Sequence, residues 1–232
     1  MHRGVKMTIK LLAVSDLHGD CSFLNTFINN NIDNLNQLDY IIMSGDLTNI
    51  GEKYEYKKIF KELINIIERL DIKIIFILGN HDNPINFYDV YHNFLPKDVK
   101  NKFINIDNNM LEVSISENKS ILIYGSQYTN KYGDWWNNYI KETQKNLTIP
   151  KSTNVDLIIV HEPPSHKELS YMDEFGDIGN IELKNYLENI NTKDNILICG
   201  HVHEKGGNEV IINRTKCYNV ALSPKIINLE VK

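Results

Sequence analysis

Apolar residues in this chain come in short dense runs separated by polar loops and by longer stretches of helical periodicity. "IKLLAVS" (9–15), "YIIMS" (40–44) and "IKIIFILG" (72–79) are nearly continuous in Ile, Leu, Val and Ala, the pattern of strands buried on both faces. Residues 21–35 are amphipathic. "EKYEYKKIFKELINIIERL" (52–70) places Tyr56, Ile59, Phe60, Leu63, Ile66, Ile67 and Leu70 at helical spacing, with a charged opposite face that reads as solvated. Strands alternating with helices predict a parallel sheet with helices on its face.

The pattern then changes. "MLEVSISENKSILIYGS" (110–126) reads as a hairpin around "SENKS", and "QYTNKYGDWWNNYI" (127–140) as a loop entering a helix. "VDLIIVHEPPS" (155–165) is an apolar strand ending at His161, "IGNIELKNYLENI" (178–190) is helical, and "NILICGHVH" (195–203) is strand then loop. The remainder, "EVIINRTKCYNVALSPKIINLEV" (209–231), is mostly β. The plan is a βαβ half followed by a mixed half richer in antiparallel strands, giving a two-layered β core with outer helices. No repeat, linker or low-complexity segment breaks the chain, so one domain over 1–232 is expected. Residues 1–7 are expected to be disordered or foreign to the native chain, Met7 being an alternative start.

Composition narrows the class. With 232 residues, 42% of them hydrophobic, the chain is long enough for a sizeable core. No run approaches the ~18 apolar residues of a membrane span, and no apolar segment precedes a cleavage site, so neither a membrane partner nor a signal peptide is expected. Cys21, Cys199 and Cys217 form an odd, widely spaced set, which fits a reducing cytoplasm better than a disulfide framework. The net charge of −5 and the absence of a basic block argue against a strong nucleic-acid surface, while leaving room for a small phosphate ligand.

Chemistry-bearing residues follow the strands. "SDLHGD" brings Asp16 and His18, "SGDLTN" brings Asp46, and "GNHDN" brings Asn80, His81 and Asp82. "HEPP" brings His161, and "GHVH" brings His201 and His203. Five of the eight histidines stand in these places. Ligands of α/β sheets bind at the carboxyl ends of strands. Each motif alone has a plainer reading: DxH as a solvated turn, "GD" as a common turn, "GNHD" as a helix start capped by Asp82 ahead of Pro84, His161 as a core-edge histidine. As a set recurring after five strands they point to metal. Imidazole with carboxylate suits Mn, Fe, Zn or Ni rather than Ca or Mg. The absence of Cys disfavours a structural zinc site. Two neighbouring cations need a shared anionic ligand, for which Asp46 is the candidate bridge; such a pair, about 3.5–4 Å apart, clamps the attacking and leaving oxygens of a phosphoryl displacement. Gly45, Gly79 and Gly200, beside the ligands, allow close backbone approach.

"DLH", "GD", "GNHD", a later His and "GHVH", in that order from Asp16 to His203, resemble the five signatures of the calcineurin-like metallophosphoesterase superfamily. The resemblance implies a four-layer α/β/β/α fold, a β-sandwich flanked by helices. It implies two divalent metal ions, Mn first, with Fe, Zn or Ni as alternatives. One would take Asp16, His18, Asp46 and His203; the other Asp46, Asn80, His161 and His201. His81 would contact the phosphate and assist the leaving group, with Asp82 orienting it, while a metal-bound hydroxide attacks phosphorus. The partner implied is a small phosphoester, acted on by a monomer or homodimer.

Departures prune the branches. Purple acid phosphatases carry a tyrosine where this chain has Asn49, and protein Ser/Thr phosphatases show GDxxDRG where it has "GDLTNIG". The repair-nuclease branch adds a capping domain and a basic surface. "IYGS" (123–126), "HEPPS", "GHVHE" and "YNVALSP" resemble the small single-domain phosphodiesterases, which implies phosphodiester substrates, cyclic nucleotides among them; Glu162 departs from their HGPP pattern and bears on the site rim. A phosphomonoesterase, a metal-dependent nuclease and a weakly active scaffold are the alternatives. Three further residues are candidates for substrate contact, each with a plainer reading. Trp135, with Tyr132 and Trp136, is a stacking platform or a core anchor. His166 is a rim residue or a solvated loop histidine. Asn49 is a substrate donor or a helix cap.

Overall fold

The computed structural model describes residues 7–35, 37–116, 119–127, 129, 155–189 and 194–231. The first half runs β1 (Met7–Val14), α1 (Ser22–Asn30), β2 (Tyr40–Ser44), α2 (Lys53–Leu70), β3 (Lys73–Ile77), α3 (Pro84–Phe94), α4 (Lys97–Lys100) and β4 (Phe103–Asn105). The second runs β5 (Asn109–Ser116), β6 (Lys119–Ser126), β7 (Leu157–Val160), α5 (Lys167–Ser170), β8 (Tyr171–Met172), β9 (Gly176–Asp177), α6 (Ile181–Asn189), β10 (Asn195–Cys199), β11 (Glu209–Ile212), β12 (Thr215–Asn219) and β13 (Lys225–Val231).

One sheet has the order β13-β1-β2-β3-β4. Its β1 to β4 are parallel, and β13 returns from the far end of the chain to pair antiparallel with β1, Leu11 opposite Ile227. The other sheet has the order β11-β12-β10-β7-β6-β5. Here the structure departs from the expected antiparallel character: β6, β7, β10 and β12 are parallel, and only the edge pairs β5–β6 and β11–β12 are antiparallel. Strand β7 is apolar throughout and β10 is apolar after Asn195, and both are buried at every position, as expected of strands covered on both faces.

Alternation along β1 shows how the layers form. Leu12 and Val14 face a core shared with α1, α2 and α3, while Ile9, Leu11 and Ala13 face the second sheet. On the second sheet Leu157, Ile159, Ile196 and Ile198 face inward, and Ile158, Val160, Leu197 and Cys199 pack under Leu169 of α5 and Leu183 and Leu187 of α6. The central strands thus bury both faces, and the result is the four-layer α/β/β/α arrangement expected.

Helix α2 buries Tyr56, Ile59, Phe60, Leu63, Ile66 and Ile67, with Leu70 partly buried against the same core. Its Glu55 carboxylate accepts the Glu52 amide at 3.1 Å, and Asp71 ends it in a left-handed conformation. Helix α3 is capped by Asn83, whose side chain accepts from the Ile85 and Asn86 amides, and not by Asp82, which is engaged elsewhere. Helix α6 starts at Ile181, three residues later than its pattern, because Asn180 Oδ1 accepts the Leu183 amide at 2.8 Å. The segment 127–140, apart from Gln127 and Thr129, lies outside the described residues, and Tyr132, Trp135 and Trp136 with it. Among the described residues no helix is long and apolar enough to cross a membrane.

Candidate metal centre

Five strands deliver their C-terminal loops to one place. β1 brings Asp16 and His18, β2 brings Asp46, β3 brings Asn80 and His81, β7 brings His161, and β10 brings His201 and His203. Backbone bonds tie the loops together: Asp16 N donates to Gly45 O (3.1 Å), His18 N to Asp46 O (3.0 Å) and Gly200 N to His161 O (3.0 Å). The loops turn so sharply that Asp16, His18, Asp46 and His201 all take left-handed φ, at 60°, 45°, 51° and 69°. Such conformations cost on the order of 1 kcal/mol each and gather at functional sites. Approach is also close. A Cβ at Gly79 would fall inside the Asp46 carboxylate, and one at Gly200 would strike Ser15 Oγ and Asp16 Oδ2.

The donor atoms converge. His18 Nε2 and His203 Nε2 are 3.1 Å apart, and Asp16 Oδ1 stands 3.2 Å from the second and 3.8 Å from the first. His161 Nε2 is 2.9 Å from Asn80 Oδ1 and 3.2 Å from Asp46 Oδ2, which lies 3.8 Å from His18 Nε2. The His201 ring packs edge-on to His161, centroids 5.1 Å apart. Asp16, Asp46, Asn80 and His161 are buried; His18 and His81 are partly exposed, and the His203 side chain is 42% exposed, so the site opens on their side.

These residues fit two cations. Donors bound to one ion at about 2.1 Å stand roughly 3.0–3.4 Å from each other, close to the 2.9–3.8 Å separations here. The His161 ring gives the sharper test. Its Nδ1 lies 2.8 Å from the Ser44 carbonyl, which can only accept, so Nδ1 carries a proton. In the neutral ring Nε2 is then a lone pair facing two further acceptors, Asn80 Oδ1 and Asp46 Oδ2. A cation resolves that convergence, and a backbone carbonyl on Nδ1 is the usual partner of a ligating histidine. Without the cation a proton must do so. Burial works against the imidazolium, but the Asp46 and Asp16 carboxylates and the Ser44 carbonyl outweigh it and raise His161 to about 10. Burial beside charged His161 pushes His201 down to about 4. Burial opposes ionisation of Asp46 as well, and the surrounding histidines overcome it, holding the carboxyl well below its usual range. Charge of both signs is thus packed where water is excluded, and a bound metal would stand in for the protons.

His81 is positioned beside this set. Its amide donates to Asp46 Oδ1 at 2.8 Å, its ring lies 4.8 Å from that of His18, and its Nδ1 donates to the Asn49 carbonyl at 2.6 Å. The acceptor at this ring nitrogen is thus the Asn49 carbonyl, in place of the expected Asp82. The buried Asp82 carboxylate instead accepts from Leu47 N, Thr48 N, Thr48 Oγ1, Gly79 N and Tyr56 Oη, pinning the β2 and β3 loops to each other. Burial and nearby Asp46 raise it to about 6 against those bonds. Asn49 acts here through its backbone. His166 caps α5, its Nδ1 accepting the Glu168 amide at 3.2 Å. Glu162 is buried with Asn180 Nδ2 3.3 Å away, so it faces inward and not onto a rim. Trp135 lies outside the described residues.

Sequence reasoning missed the supporting groups. Tyr56, read as part of a plain outer helix, bonds Asp82 and Asn83, and Glu55 binds the loop amides of Asn49 and Ile50. A signal existed for Glu55 alone: it stands three residues after Glu52 at a helix start, the spacing of a capping box.

The arrangement is a candidate metal centre at the C-terminal strand ends of an α/β/β/α sandwich. Residues 9–205 match the family model described as calcineurin-like phosphoesterase, and the chain belongs to that family, whose chemistry is metal-dependent cleavage of phosphoesters. The chain is similar to a probable glycerophosphodiester phosphodiesterase, GpdQ, of Arcobacter nitrofigilis, 31% identical over 173 residues, which are 71% of this chain and 56% of the relative. It is similar also to a probable rhamnogalacturonate lyase C of Emericella nidulans, 28% identical over 207 residues, 88% of this chain and 18% of that protein. The chain thus spans a fifth to just over half the length of these curated relatives. Among solved structures, one crystal structure aligns over 97% of this chain and 100% of its own at a TM-score of 0.68 and 12% identity. The sulfate thiohydrolase SoxB of Thermus thermophilus in complex with glycerol aligns over 97% of this chain and 54% of its own, at a TM-score of 0.57 and 10% identity. Both likenesses show the fold.

Proposed function

We propose that this protein is a dinuclear-metal phosphodiesterase acting on small phosphodiesters, cyclic nucleotides among the candidates. The observation that carries the proposal is Asp46: its Oδ2 lies 3.2 Å from His161 Nε2 and 3.8 Å from His18 Nε2, one from each of the two expected ligand sets, while Oδ1 holds the backbone of His81. Asp16, His18, Asp46 and His203 would hold one ion, and Asp46, Asn80, His161 and His201 the other. The imidazole, carboxylate and amide donors suit manganese, with iron, zinc or nickel as alternatives. Bound there, two such ions neutralise phosphoryl charge and lower the pKa of water towards about 7.

The chain's own residues supply the rest. With Nδ1 committed to Asn49, proton exchange with substrate falls to His81 Nε2, which as imidazolium protonates the departing alkoxide. Help of this kind contributes about 10²–10⁴-fold. The partly exposed His18, His81 and His203 mark the side from which substrate enters. Similarity to a glycerophosphodiester phosphodiesterase supports the diester over the monoester. The three cysteines are buried and unbridged, burial raising the Cys217 thiol to about 12, which supports a reducing, cytoplasmic setting.

The test is hydrolysis of bis-p-nitrophenyl phosphate and p-nitrophenyl phosphate with added Mn²⁺ and with chelator. Mn²⁺-dependent turnover, faster for the diester, is expected. A faster monoester moves the assignment to phosphatase. No turnover of either with two ions bound overturns it.

A further inference from the structure

The loop after Asp46 is held by two buried carboxylates. Asp82 takes the amides of Leu47 and Thr48, each at 3.1 Å. Glu55, in the first turn of α2, takes the next part: the Asn49 amide on Oε1 at 3.0 Å, and the Ile50 and Glu52 amides on Oε2 at 3.1 Å each. Asn86 adds a weaker tie from α3, its Nδ2 donating to the Gly51 carbonyl at 2.9 Å. This same stretch presents the Asn49 carbonyl to His81 Nδ1 at 2.6 Å.

We propose that Glu55 is a positioning residue for His81: its carboxylate fixes the 49–52 backbone so that the Asn49 carbonyl holds the Nδ1–H of the His81 imidazolium and aims its Nε2–H at the leaving oxygen. The proposal rests on the role given to His81 above. Charge explains the residue type. A carboxylate accepts three amides with two oxygens, and bonds to an ionised acceptor are roughly twice as strong as neutral ones. Glutamine has one accepting oxygen and would set an NH₂ against amides that point at it. The plainer account of Glu55 is a helix cap alone, through its bond to Glu52. A cap affects stability and leaves the imidazole untouched.

The test uses the full chain loaded with Mn²⁺, a series of methyl aryl phosphodiesters of decreasing leaving-group acidity, and four variants: E55Q, N86A, H81A and the double variant E55Q/H81A. In E55Q, turnover of the dinitrophenyl ester stays within about twofold of wild type, while that of the phenyl ester falls on the order of tenfold, since only a poor leaving group needs the proton. N86A moves the same way by less, and carries the test if E55Q does not fold. In the double variant E55Q adds no loss to H81A, as expected of groups acting as a unit. A readout independent of turnover is the Nδ1–H resonance of His81 in the ¹⁵N-labelled, metal-free chain: slow to exchange in wild type, exchange-broadened in E55Q. A uniform loss across the esters, multiplying losses in the double variant, or a protected Nδ1–H in E55Q overturns the proposal. If H81A itself shows no dependence on leaving group, the proton role of His81 fails, and the resonance still decides whether Glu55 positions the ring.

Discussion

Asp107 follows β4 and stands behind the ligand loop of β3, its Oδ1 accepting the Leu78 amide and its Oδ2 the Asn105 side chain, both at 3.0 Å. Burial pushes its carboxyl up from 3.8 to about 7; those two bonds oppose the rise and the Asp82 charge adds to it. The folded chain therefore keeps a proton that the unfolded chain gives up between about pH 4 and 7, so stability falls as pH rises through that window and levels off above it. A rise of this size is worth about 4 kcal/mol at most. Because the residue is only partly buried, solvent screening reduces this to about 2 kcal/mol. Asp107→Asn keeps the bond to Leu78, removes the ionisation and sets an NH₂ against the Asn105 amide, which costs about 1 kcal/mol. The variant should then match wild type near pH 4.5, be about 1 kcal/mol less stable below pH 3.5 and be about 1 kcal/mol more stable at pH 8. For a chain of this length the gain at pH 8 is about 2–4 °C. Thermal melts of both proteins in chelator, from pH 3 to 8.5, should cross near pH 4.5. Chelator matters because bound metal adds its own stabilisation. Parallel curves over the whole range would show that Asp107 titrates normally and refute the reasoning.

Other outcomes follow from the centre. Adding Mn²⁺ to the metal-free chain at pH 8 should release protons, because the acceptors around His161 Nε2 force a proton there until metal replaces it; calorimetry in buffers of different ionisation enthalpy reads the number, and zero release contradicts the assigned tautomer. Asp46→Asn should lose both ions by metal analysis, and retention of one at full occupancy would show that Asp46 does not bridge. Gly79→Ala should abolish turnover and lower metal content while the chain still folds, since its Cβ intrudes only on the Asp46 loop; an active G79A variant contradicts the close approach. His166→Ala should cost about 1 kcal/mol through the lost cap, 2–4 °C in Tm, with diester turnover within about twofold; a large rise in KM would restore His166 to the substrate rim.

Much of this was legible in the residues alone. Every strand that leads into a candidate donor was visible as an apolar run, because a strand covered on both faces has few polar positions to disguise it. The candidate donors were visible because five loops repeat the same donor chemistry directly after those runs. What the one-dimensional pattern could not carry was the pairing of strands distant in sequence. The second sheet is parallel at its centre because β7 and β10 connect through segments that include α5 and α6, and β13 closes the first sheet by crossing back over the chain. The roles of Asp82, Asn49 and Glu55 were hidden for a related reason. A carboxylate beside a histidine in sequence looks like its partner, but the partner is whichever acceptor the folded loops bring within hydrogen-bond reach. Here that acceptor is a backbone carbonyl, which every residue carries and which no sequence motif can mark. The sequence alone determined which donor side chains follow the strands, because donor chemistry belongs to residue type. Only the tertiary structure decided which groups hold His81 and Asp82, because hydrogen bonds depend on distances of a few tenths of an ångström between segments that only folding brings together.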